Sequence, residues 1–377
     1  MPGKRMPKAP MSDNQRPIVH FLFEPANGGL DRVAILLANE MAARGLPAEL
    51  WLSKREGLLA DLISDKVTVR MVPTIGFGSR GFKLFAQTPA LARMIRKYRP
   101  QAIFSAGNQS NLSIACARKL AGAQSTKIIQ KITNPVVRPT MGRLRGALRA
   151  QRFRLTAALG DLCLTLSEAD QRAYARMMPT VADRFRAVRN PYVTERMLET
   201  GAGRTKETGN MLLSVGRFEY QKDHATLLRA LARIRDIPWH MRLLGNGSLE
   251  GELREQAVQL GIADRVSFEG FQPDPTAIYA QSDILVLSSR WEGLPAVPLE
   301  ALACGCDVVT TACAEGLTDV LAPLGRDIAP IGDDAALAAG IKAALERSTR
   351  PAQGRAIAER YSISSSVDHH LELLGQL

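Results

Sequence analysis

The amino-acid sequence predicts an α/β protein with two tandem domains, each built on a doubly wound parallel sheet. Two blocks of the 377-residue chain alternate short apolar runs with amphipathic helical patterns, which is typical of parallel strands joined by helices. A polar stretch at residues 199–210 separates the blocks and is the best candidate for a linker. The length also suits two domains of ordinary size.

The first block opens with a continuous apolar run, Ile18–Phe23, as expected for a parallel strand covered on both faces. A glycine loop follows, and then apolar residues recur at helical spacing from Leu30 to Met41. The alternation continues through predicted strands at 49–52, 67–72, 102–105 and 127–132 and predicted helices at 58–63, 89–98 and 112–120.

The segment Thr140–Leu159 has a different pattern. Three leucines fall on one helical face and three arginines on another: Leu144, Leu148, Leu155, Arg145, Arg149 and Arg152. Such a helix can lie on an anionic membrane. The alternative is a helix whose arginines only face water.

The second block begins after Asn190-Pro191 and the polar linker. Its predicted strands are 211–215, 240–244, 266–269, 284–288 and 308–310, and its predicted helices are 225–234, 249–260, 275–281 and 298–303. The predicted organisation is a basic disordered tail (1–16), an N-terminal Rossmann-like domain (17–192), a second Rossmann-like domain (193–357) and a C-terminal helix (358–377) that packs back on the N-terminal domain. Ligands of such sheets bind at the carboxyl ends of the strands, so the cleft between the domains is the expected site.

The amino-acid composition excludes several classes of protein. With 46% hydrophobic residues the chain can build two cores, which excludes general disorder. No stretch approaches the ~18 apolar residues of a membrane span, and no apolar region follows the basic start, which therefore reads as a tail rather than a signal peptide. The five cysteines are scattered, and Cys304 and Cys306 have the wrong spacing for a zinc pair or a redox motif, so we expect reduced thiols and a cytoplasmic protein.

The charge is distributed unevenly. Residues 1–195 hold 31 Lys and Arg against 13 Asp and Glu, whereas the remainder holds 18 against 24. No carboxylate occurs between Asp65 and Asp161, an interval with 18 Lys and Arg. A field of one sign attracts phosphates of a lipid, a nucleic acid or a phosphorylated substrate. Aromatic residues at 5% offer few stacking platforms, and no nucleic-acid-binding motif is present, so nucleic acid is the least favoured partner.

Two cations follow a predicted strand end in the second block. The strand ends at Gly216, and Arg217 and Lys222 lie in the loop after it. A planar guanidinium and a compact ammonium suit a diphosphate. The alternative is two surface cations ahead of a helix.

Two carboxylates follow another strand of this block. Glu292 lies in the loop after residues 284–288, and Glu300 lies in the helix beyond. Carboxylates accept hydrogen bonds from adjacent sugar hydroxyls, and the free N–H groups of a helix start favour an anion. The turn Gly245-Asn246-Gly247 points to the same edge. Taken alone, Glu300 is equally a solvated helix residue.

These motifs stand in the order found in a known family. They are Val215-Gly216-Arg217 with Lys222 five residues on, the glycine turn, Phe268-Glu269-Gly270-Phe271, Glu292-Gly293-Leu294-Pro295 with Glu300, Ala301-Leu302-Ala303-Cys304-Gly305, and Val308-Val309. Together they span residues 215–309, a stretch of 95 residues. In this the second half resembles the donor domain of the retaining glycosyltransferases of family 4 (glycosyl transferases group 1), which have the GT-B fold of two Rossmann-like domains facing a central cleft.

The resemblance implies that residues 17–192 form the acceptor-binding domain and residues 193–357 the nucleotide-sugar donor-binding domain. It also implies the catalytic roles. Arg217 and Lys222 would bind the donor diphosphate and stabilise the charge that develops on the leaving group. Glu292 would contact the transferred sugar, with the Gly293 and Leu294 amides nearby.

It also implies the remaining donor contacts. Glu300 would hold the nucleotide ribose, Gly270 and Phe271 would lie near the base, and Gly216 and Asn246 would complete the donor site.

The acceptor side departs from the family. Asn27-Gly28-Gly29 resembles the glycine loop that faces the donor phosphates. The histidine that members often place near the cleft is missing, and Asn108 and Asn134 stand at the matching strand ends, where they either supply a polar contact or are turn residues. Two further departures, Cys306-Asp307 and Glu315-Gly316-Leu317-Thr318-Asp319, bear on the identity of the sugar.

The expected activity is transfer of a sugar from a nucleotide diphosphate donor, expected to be a UDP-sugar, to an acceptor hydroxyl with retained configuration. No cofactor or metal is expected, because cations and helix-terminal N–H groups can stabilise the leaving diphosphate and the chain has no Asp-x-Asp. The basic half suits a lipid-linked or oligosaccharide acceptor and an anionic membrane surface, and hence a peripheral position on the inner face of a bacterial cytoplasmic membrane. The alternatives are a catalytically silent basic scaffold and an inverting relative such as a nucleotide-sugar epimerase.

Overall fold

The structure is a computed structural model of the chain. It describes residues 16–26, 28–74, 77–133, 136, 141–202, 210–347 and 352–377.

Strands and helices alternate along the described chain. The first group is β1 (Ile18–Leu22), α1 (Gly29–Ala43), β2 (Ala48–Leu52), β3 (Thr68–Met71), α2 (Arg80–Ala86), α3 (Thr88–Tyr98), β4 (Ala102–Ser105), α4 (Asn111–Ala121), β5 (Lys127–Lys131), α5 (Arg143–Ala158), β6 (Leu162–Thr165), α6 (Glu168–Met177) and β7 (Phe185–Ala187). The second group is α7 (Glu195–Ala202), β8 (Met211–Val215), α8 (His224–Arg233), β9 (His240–Leu244), α9 (Glu250–Gln259), β10 (Val266–Phe268), α10 (Thr276–Ala280), β11 (Ile284–Leu287), α11 (Val297–Ala303), β12 (Asp307–Thr310), α12 (Glu315–Leu321), α13 (Asp334–Glu346), α14 (Ala352–Glu359) and α15 (Ile363–Gly375).

The first sheet has seven strands in the order β3-β2-β1-β4-β5-β6-β7. The pairs from β3 to β6 are parallel, with Phe21 opposite Trp51 on one side and Ser105 on the other. Strand β1 is buried along its whole length, as its continuous apolar sequence predicts. The strand order reverses between β1 and β4, and in open α/β sheets such a reversal marks the place where ligands bind.

The second sheet has five parallel strands in the order β10-β9-β8-β11-β12. Its order reverses between β8 and β11, so the loops that follow these two strands lie side by side at the carboxyl edge. The predicted α/β class with two parallel sheets is confirmed.

Each sheet has its own hydrophobic core. Val19 and Phe21 pack with α3 and α4 on one face of the first sheet, while Leu22 and Leu50 pack with α1 on the other. In the second sheet a single large cluster includes the fully buried side chain of Phe218, which belongs to the loop after β8. Because Phe218 is anchored in this core, the short segment around it is held in place.

The chain divides into two compact units. One comprises residues 1–132, 139–164 and 373–377, and the other comprises 133–138 and 165–372. The predicted domain boundary at residues 192 and 193 falls inside the second unit, and the predicted C-terminal helix region is divided between the two. The predicted tail, residues 1–16, lies outside the described residues except for Arg16.

Two predicted elements differ in the structure. Residues 58–63 form only a short 3-10 turn, Ala60–Leu62, in place of the predicted helix. The Leu59 amide donates to the Pro25 carbonyl at 3.1 Å, which fixes the backbone outside a helix, and Leu58 is exposed. The predicted linker begins later than expected, since residues 199–202 belong to α7.

None of the described helices is long and apolar enough to cross a bilayer.

Candidate active site at the carboxyl edge of the second sheet

The site is assembled by the loops after the neighbouring strands β8 and β11. The first loop carries Arg217 and Lys222, and the second carries Glu292. The strands pair in parallel with Leu213 opposite Leu285, so both chains leave the sheet at the same edge. Lys222 and Glu292 are therefore neighbours, although they lie 70 positions apart in the sequence.

The Lys222 ammonium and the Glu292 carboxylate form an ion pair. The Nζ–Oε1 distance is 2.7 Å, and the two side chains are only 17% and 10% exposed. A pair so shielded from water is stronger than a surface salt bridge, because solvent screens it less. In this structure each charge serves as the counterion of the other.

Three further groups hold the Glu292 residue. Ser289 Oγ donates to Oε1 at 2.8 Å, and Gln221 Nε2 donates to Oε2 at 3.2 Å. The Glu292 amide donates to the Cys313 carbonyl at 2.9 Å. The side-chain partners donate to both carboxylate oxygens, which fixes the orientation of this group. Gln221 and Ser289 were not predicted as site residues, although Gln221 directly precedes Lys222 in the sequence and Ser289 lies three residues before Glu292.

The two loops are also tied to each other through the backbone. The Arg290 amide donates to the Gln221 carbonyl at 2.8 Å, and Ser288 Oγ donates to the Lys222 carbonyl at 2.9 Å. The Arg290 guanidinium pairs with the buried Asp223 carboxylate at 3.0 Å. These contacts fix the position of Lys222 relative to Glu292, which reduces the reorganisation needed when a ligand binds.

Glycines make room for this arrangement. A Cβ on Gly216 would lie 3.2 Å from both Cδ and Cε of Lys222, so the lysine stem runs along the bare glycine backbone. A Cβ on Gly245 would lie 2.0 Å from the Gly216 carbonyl oxygen. Gly245 also has φ +143°, which disfavours any side chain. The predicted turn therefore packs directly under the loop that carries the cations.

Arg217 has a different environment from Lys222. It is exposed at the start of the same loop, and within the described part of the chain no carboxylate pairs with its guanidinium. Its carbonyl accepts from the Glu219 amide at 2.8 Å, which closes a tight turn. The structure thus places one paired and one unpaired cation on the segment predicted to bind a diphosphate.

Glu300 is buried on α11, with 6% of its surface exposed. Its Oε2 accepts a hydrogen bond from the Tyr279 hydroxyl at 2.8 Å. Burial and the nearby Glu300 charge raise the pKa of Tyr279 well above its ordinary value, so the phenol remains a donor. The burial of Glu300 excludes the alternative that it is a solvent-exposed residue of the helix. The sequence does not reveal Tyr279 as its partner.

The backbone of Gly293 and Leu294 is also held firmly. A Cβ on Gly293 would lie 2.4 Å from the Thr133 carbonyl oxygen. The Tyr192 hydroxyl donates to the Leu294 carbonyl at 3.0 Å and accepts from Asn190 Nδ2 at 3.0 Å. Burial raises the pKa of Tyr192, so its hydroxyl also stays protonated. Tyr192 is 102 residues from Leu294, and no sequence signal connects them.

The remaining donor-side predictions lie at the same edge of the sheet. Gly270 has φ +71° and its carbonyl accepts from the Gly245 amide at 2.8 Å. Phe271 is half-buried beside it, and Asn246 is exposed with its carbonyl accepting from the Phe218 amide at 2.9 Å. The loops after β8, β9 and β10 are thereby connected by backbone hydrogen bonds.

Cys313 lies close to the ion pair without taking part in it. Burial, with a smaller contribution from the Glu292 charge, raises the pKa of its thiol to about 12. A thiol with that pKa is not a nucleophile near neutral pH. Cys313 contributes its backbone carbonyl to Glu292 instead.

In the first unit, Gly28, Gly29 and Asn108 lie at the carboxyl ends of β1 and β4. The Gly28 carbonyl accepts from the Asp31 and Arg32 amides at 3.1 Å each and begins α1. Asn108 lies in the turn before α4. Asn27 and Asn134 are outside the described residues, so the structure does not place them.

Asp31 is a buried carboxyl that the sequence analysis did not single out. It follows the glycine loop, and only 7% of its surface is exposed. Burial raises its pKa to about 6, although the Arg80 charge and the Gly28 backbone act in the opposite direction. A signal existed in the sequence, since Asp31 is the one acidic residue in the first turn of α1.

Two family models together match nearly the whole chain. The model described as "Glycosyl transferase 4-like domain" matches residues 28–191, and the model described as "Glycosyl transferases group 1" matches residues 199–360. The chain belongs to the group 1 glycosyltransferases. The predicted membership is thereby confirmed, and the second model spans the loops of Lys222 and Glu292.

Curated relatives of this glycosyltransferase include two proteins of Campylobacter jejuni. One, named as a GalNAc-alpha-(1->4)-GalNAc-alpha-(1->3)-diNAcBac-PP-undecaprenol alpha-1,4-N-acetyl-D-galactosaminyltransferase, is 24% identical over 75% of this chain and 76% of its own. The other, an N-acetylgalactosamine-N,N'-diacetylbacillosaminyl-diphospho-undecaprenol 4-alpha-N-acetylgalactosaminyltransferase, is 26% identical over 52% of this chain and 54% of its own. The chain spans less than two thirds of the length of several curated relatives that it matches.

Among solved structures, the glycosyltransferase resembles Anabaena HepE in complex with UDP and glucose. The TM-score is 0.76 at 19% identity, over 96% of this chain and all of the other. WaaG, a glycosyltransferase involved in lipopolysaccharide biosynthesis, matches with a TM-score of 0.67 at 18% identity over 95% of this chain and 99% of its own. These similarities confirm the predicted GT-B fold.

Proposed function

We propose that this glycosyltransferase is a hexosyltransferase that moves a sugar from a UDP-sugar to an acceptor hydroxyl with retained configuration. One observation supports the proposal above all others: the shielded Lys222–Glu292 pair joins the two loops where the second sheet reverses its strand order, and the exposed Arg217 lies on the same loop as Lys222. Cations for a diphosphate and a carboxylate for sugar hydroxyls thus stand on adjoining loops.

The charge arrangement gives Lys222 a defined task. When the bond between the sugar and the diphosphate breaks, both bonding electrons stay on the phosphate oxygen, and negative charge grows there. An ammonium on a loop whose backbone is already fixed can stabilise that charge. In this step the Lys222 ammonium turns from Glu292 toward the phosphate, and Arg217 binds the diphosphate from its exposed side. The Glu292 carboxylate then accepts hydrogen bonds from hydroxyls of the transferred sugar.

The buried Glu300 suits the ribose. The Tyr279 hydroxyl holds its carboxylate in place, and a ribose presents two adjacent hydroxyls to a group of this kind, which only accepts hydrogen bonds. We assign the base to the neighbourhood of Gly270 and Phe271, and Asn246 to the donor site. These groups, together with the cations, provide a route to transfer without a metal.

We propose retention by attack of the acceptor hydroxyl on the face of the sugar that the diphosphate leaves. The acceptor proton would pass to the leaving phosphate, so the step needs no carboxylate nucleophile. On the acceptor side we propose Asn27, Gly28, Gly29, Asn108 and Asn134 as the residues that contact the acceptor.

We propose a lipid-linked or oligosaccharide acceptor used in the synthesis of bacterial envelope or extracellular polysaccharide. The names of the two Campylobacter relatives, both acting on undecaprenol-linked sugars, support this class. The excess of Lys and Arg in residues 1–195 supports a position on the inner face of the cytoplasmic membrane, where such acceptors lie.

Donor binding is tested first by thermal shift with UDP, GDP and ADP. A nucleotide at 100 times its dissociation constant stabilises the fold by about 2.7 kcal/mol. We expect UDP to stabilise the wild type and to have a much smaller effect on the Lys222→Ala variant. Lack of stabilisation by all three nucleotides would support the silent-scaffold alternative and contradict the proposal.

Transfer is tested with radiolabelled UDP-glucose, UDP-galactose, UDP-N-acetylglucosamine and UDP-N-acetylgalactosamine. The acceptor probe is a polyprenyl-diphosphate-linked N-acetylhexosamine in detergent micelles, and the anomeric configuration of the product is read by proton NMR. An α-linked product supports retention. A β-linked product, or an epimerised donor without transfer, would overturn the mechanism in favour of an inverting relative.

A further inference from the structure

Helix α5 presents an unusually apolar stripe to solvent. Leu144, Leu148 and Leu155 are 75%, 65% and 60% exposed. At about 100° per residue these positions fall within about 40° of one another, so the three side chains form one stripe along the helix. Scattered surface leucines are common, but three aligned on one 16-residue helix call for a partner.

The opposite face of α5 holds the helix on the protein. Gly146, Phe153 and Ala157 are buried, and they lie about 160–180° from the leucine stripe. The hydrophobic core of the unit is therefore already covered by another side of this helix. The leucines are not core residues that a small shift of α5 would bury.

Arginines flank the stripe on both sides. Arg145 and Arg152 lie about 60–80° to one side of its centre, and Arg143 and Arg154 lie about 100–120° to the other. All four are exposed, and in the described ranges no carboxylate pairs with any of them. The sequence places no Asp or Glu within residues 66–160, so acidic neighbours along the chain are absent as well.

We propose that α5 is a membrane-docking helix that lies flat on an anionic bilayer, with its leucines in the acyl boundary and its arginines among the lipid phosphates. An apolar stripe between two rows of cations is the arrangement that suits a helix in the plane of the interface. The helix is about 24 Å long, which is too short to span the hydrocarbon core. The absence of carboxylates favours a phosphate-bearing surface over a protein, whose surface carries both signs of charge. The inference deepens the proposed function, because it names the element that would bring the enzyme to a lipid-linked acceptor.

The test is sedimentation with extruded vesicles of phosphatidylcholine alone and of phosphatidylcholine with 30% phosphatidylglycerol, at low salt. We expect binding to the anionic vesicles only. Replacing Leu144, Leu148 and Leu155 together with Ser should weaken binding at least about tenfold, because the apolar insertion is lost. Replacing Arg143, Arg145, Arg152 and Arg154 with Gln should weaken it by roughly several hundredfold, at about fivefold for each cation.

A matched control uses the exposed residues Lys119 and Leu120 on α4 of the same unit. The variant Lys119→Gln/Leu120→Ser removes one cation and one leucine away from α5 and should keep vesicle binding within about fivefold of wild type. Circular dichroism and the thermal shift with UDP show that each variant is folded. They also separate the two hypotheses, since docking can fail while UDP binding persists, and UDP binding can fail while docking persists.

Several results would overturn the inference. Wild type that stays in the supernatant with anionic vesicles, or a leucine triple variant that binds as tightly as wild type, rules out the inserted stripe. Concentration-dependent dimerisation abolished by the leucine variant, without any vesicle binding, would assign the stripe to a second protein copy instead.

Discussion

The ammonium of Lys222 lies 2.7 Å from the carboxylate of Glu292, so each of the two charges is compensated inside the protein. The two residues come from loops after adjacent strands, and Ser289 and Gln221 hold the carboxylate in place. Before a diphosphate binds, this pair satisfies two charges that would otherwise be poorly solvated. In the proposed mechanism a donor sugar replaces both halves of the pair at once, because its phosphate binds the ammonium and its hydroxyls bind the carboxylate.

Loss of the Lys222 charge should therefore reduce turnover and expose Glu292 as an uncompensated charge. We expect Lys222→Ala to lower kcat by roughly two orders of magnitude, as removal of one charge-stabilising group typically does. Steady-state release of UDP from a UDP-sugar measures the effect. Arg254→Ala, which breaks an exposed pair with Glu250 on α9, serves as the control and should keep wild-type kcat. Near wild-type turnover of the Lys222 variant would contradict the assignment.

Glu300 should act through nucleotide affinity as well as rate. We expect Glu300→Ala to lower kcat/KM by roughly two orders of magnitude, because the ribose would lose its hydrogen-bond acceptor and the Tyr279 hydroxyl its partner. Calorimetric titration with UDP locates the loss in binding. The exposed Glu252→Ala on α9 provides a charge-matched control. Unchanged UDP affinity in the Glu300 variant would remove Glu300 from the ribose site.

Tyr192 should act as a positioning residue for the Gly293-Leu294 backbone. Tyr192→Phe keeps the ring that stacks on Tyr361 at 6.1 Å and removes only the hydroxyl that donates to Leu294. We expect several-fold lower kcat with little change in UDP affinity, and a loss of about 1–2 kcal/mol in the free energy of unfolding.

The control for Tyr192 is Tyr361→Phe, which removes the hydroxyl from the other ring of the stack. A purely structural role would give both variants the same kinetics once their stabilities are matched. A selective fall in kcat for Tyr192→Phe separates positioning from stability.

The raised pKa of Asp31 predicts that the free energy of unfolding depends on pH. Burial raises its pKa to about 6, above the ordinary value of 3.8, so the folded state holds this proton more tightly than the unfolded state. The favourable contribution is fully present below about pH 4 and is lost as the pH rises through 6, at a cost of about 3 kcal/mol. Asp31→Asn should therefore stabilise the protein at pH 7.5 and leave it nearly unchanged at pH 4.

Urea unfolding at the two pH values measures the Asp31 effect. The exposed Asp61→Asn is the control and should change stability by less than about 0.5 kcal/mol at either pH. Destabilisation by Asp31→Asn at pH 7.5 would mean that the carboxylate is ionised and favourably bound.

Gly245 should tolerate no side chain. Gly245→Ala would place a Cβ 2.0 Å from the Gly216 carbonyl at φ +143°, and we expect it to cost at least about 3 kcal/mol. Gly261→Ala is a matched control, because Gly261 also has positive φ (+68°) but open space around it, and should cost about 1–2 kcal/mol. Equal thermal stability of the two variants would contradict the steric argument.

The sequence predicts the strands of this fold well, and for a physical reason. Strands of a sheet covered on both faces need continuous apolar runs, and the bounds predicted for residues 102–105, 211–215 and 240–244 are those of β4, β8 and β9. The helix predicted at 58–63 is wrong. The apolar residues have helical spacing, but only Leu59 is buried, and the hydrogen bond from its amide to the Pro25 carbonyl holds the backbone outside a helix. No elements were predicted for residues 160–190, where the structure has β6, α6 and β7.

Among the residues of the candidate site, too, some could be predicted from the sequence and others could not. Lys222 and Glu292 carry a local signal, since each follows a strand end next to a glycine. Tyr279 and Tyr192 carry none, because their bonds to Glu300 and Leu294 join residues 21 and 102 positions apart. Such contacts depend on how the elements pack, which a single sequence does not specify residue by residue.

The Lys222 side chain packs against the backbone of Gly216. The residues at positions 216 and 222 therefore cannot be varied independently of each other. Any branched residue at 216 would displace the ammonium, and a shorter residue at 222 would leave the gap unfilled. In a combinatorial library aimed at new donor sugars, these two sites should show strong epistasis. Functional clones should therefore keep Gly216 wherever they keep Lys222.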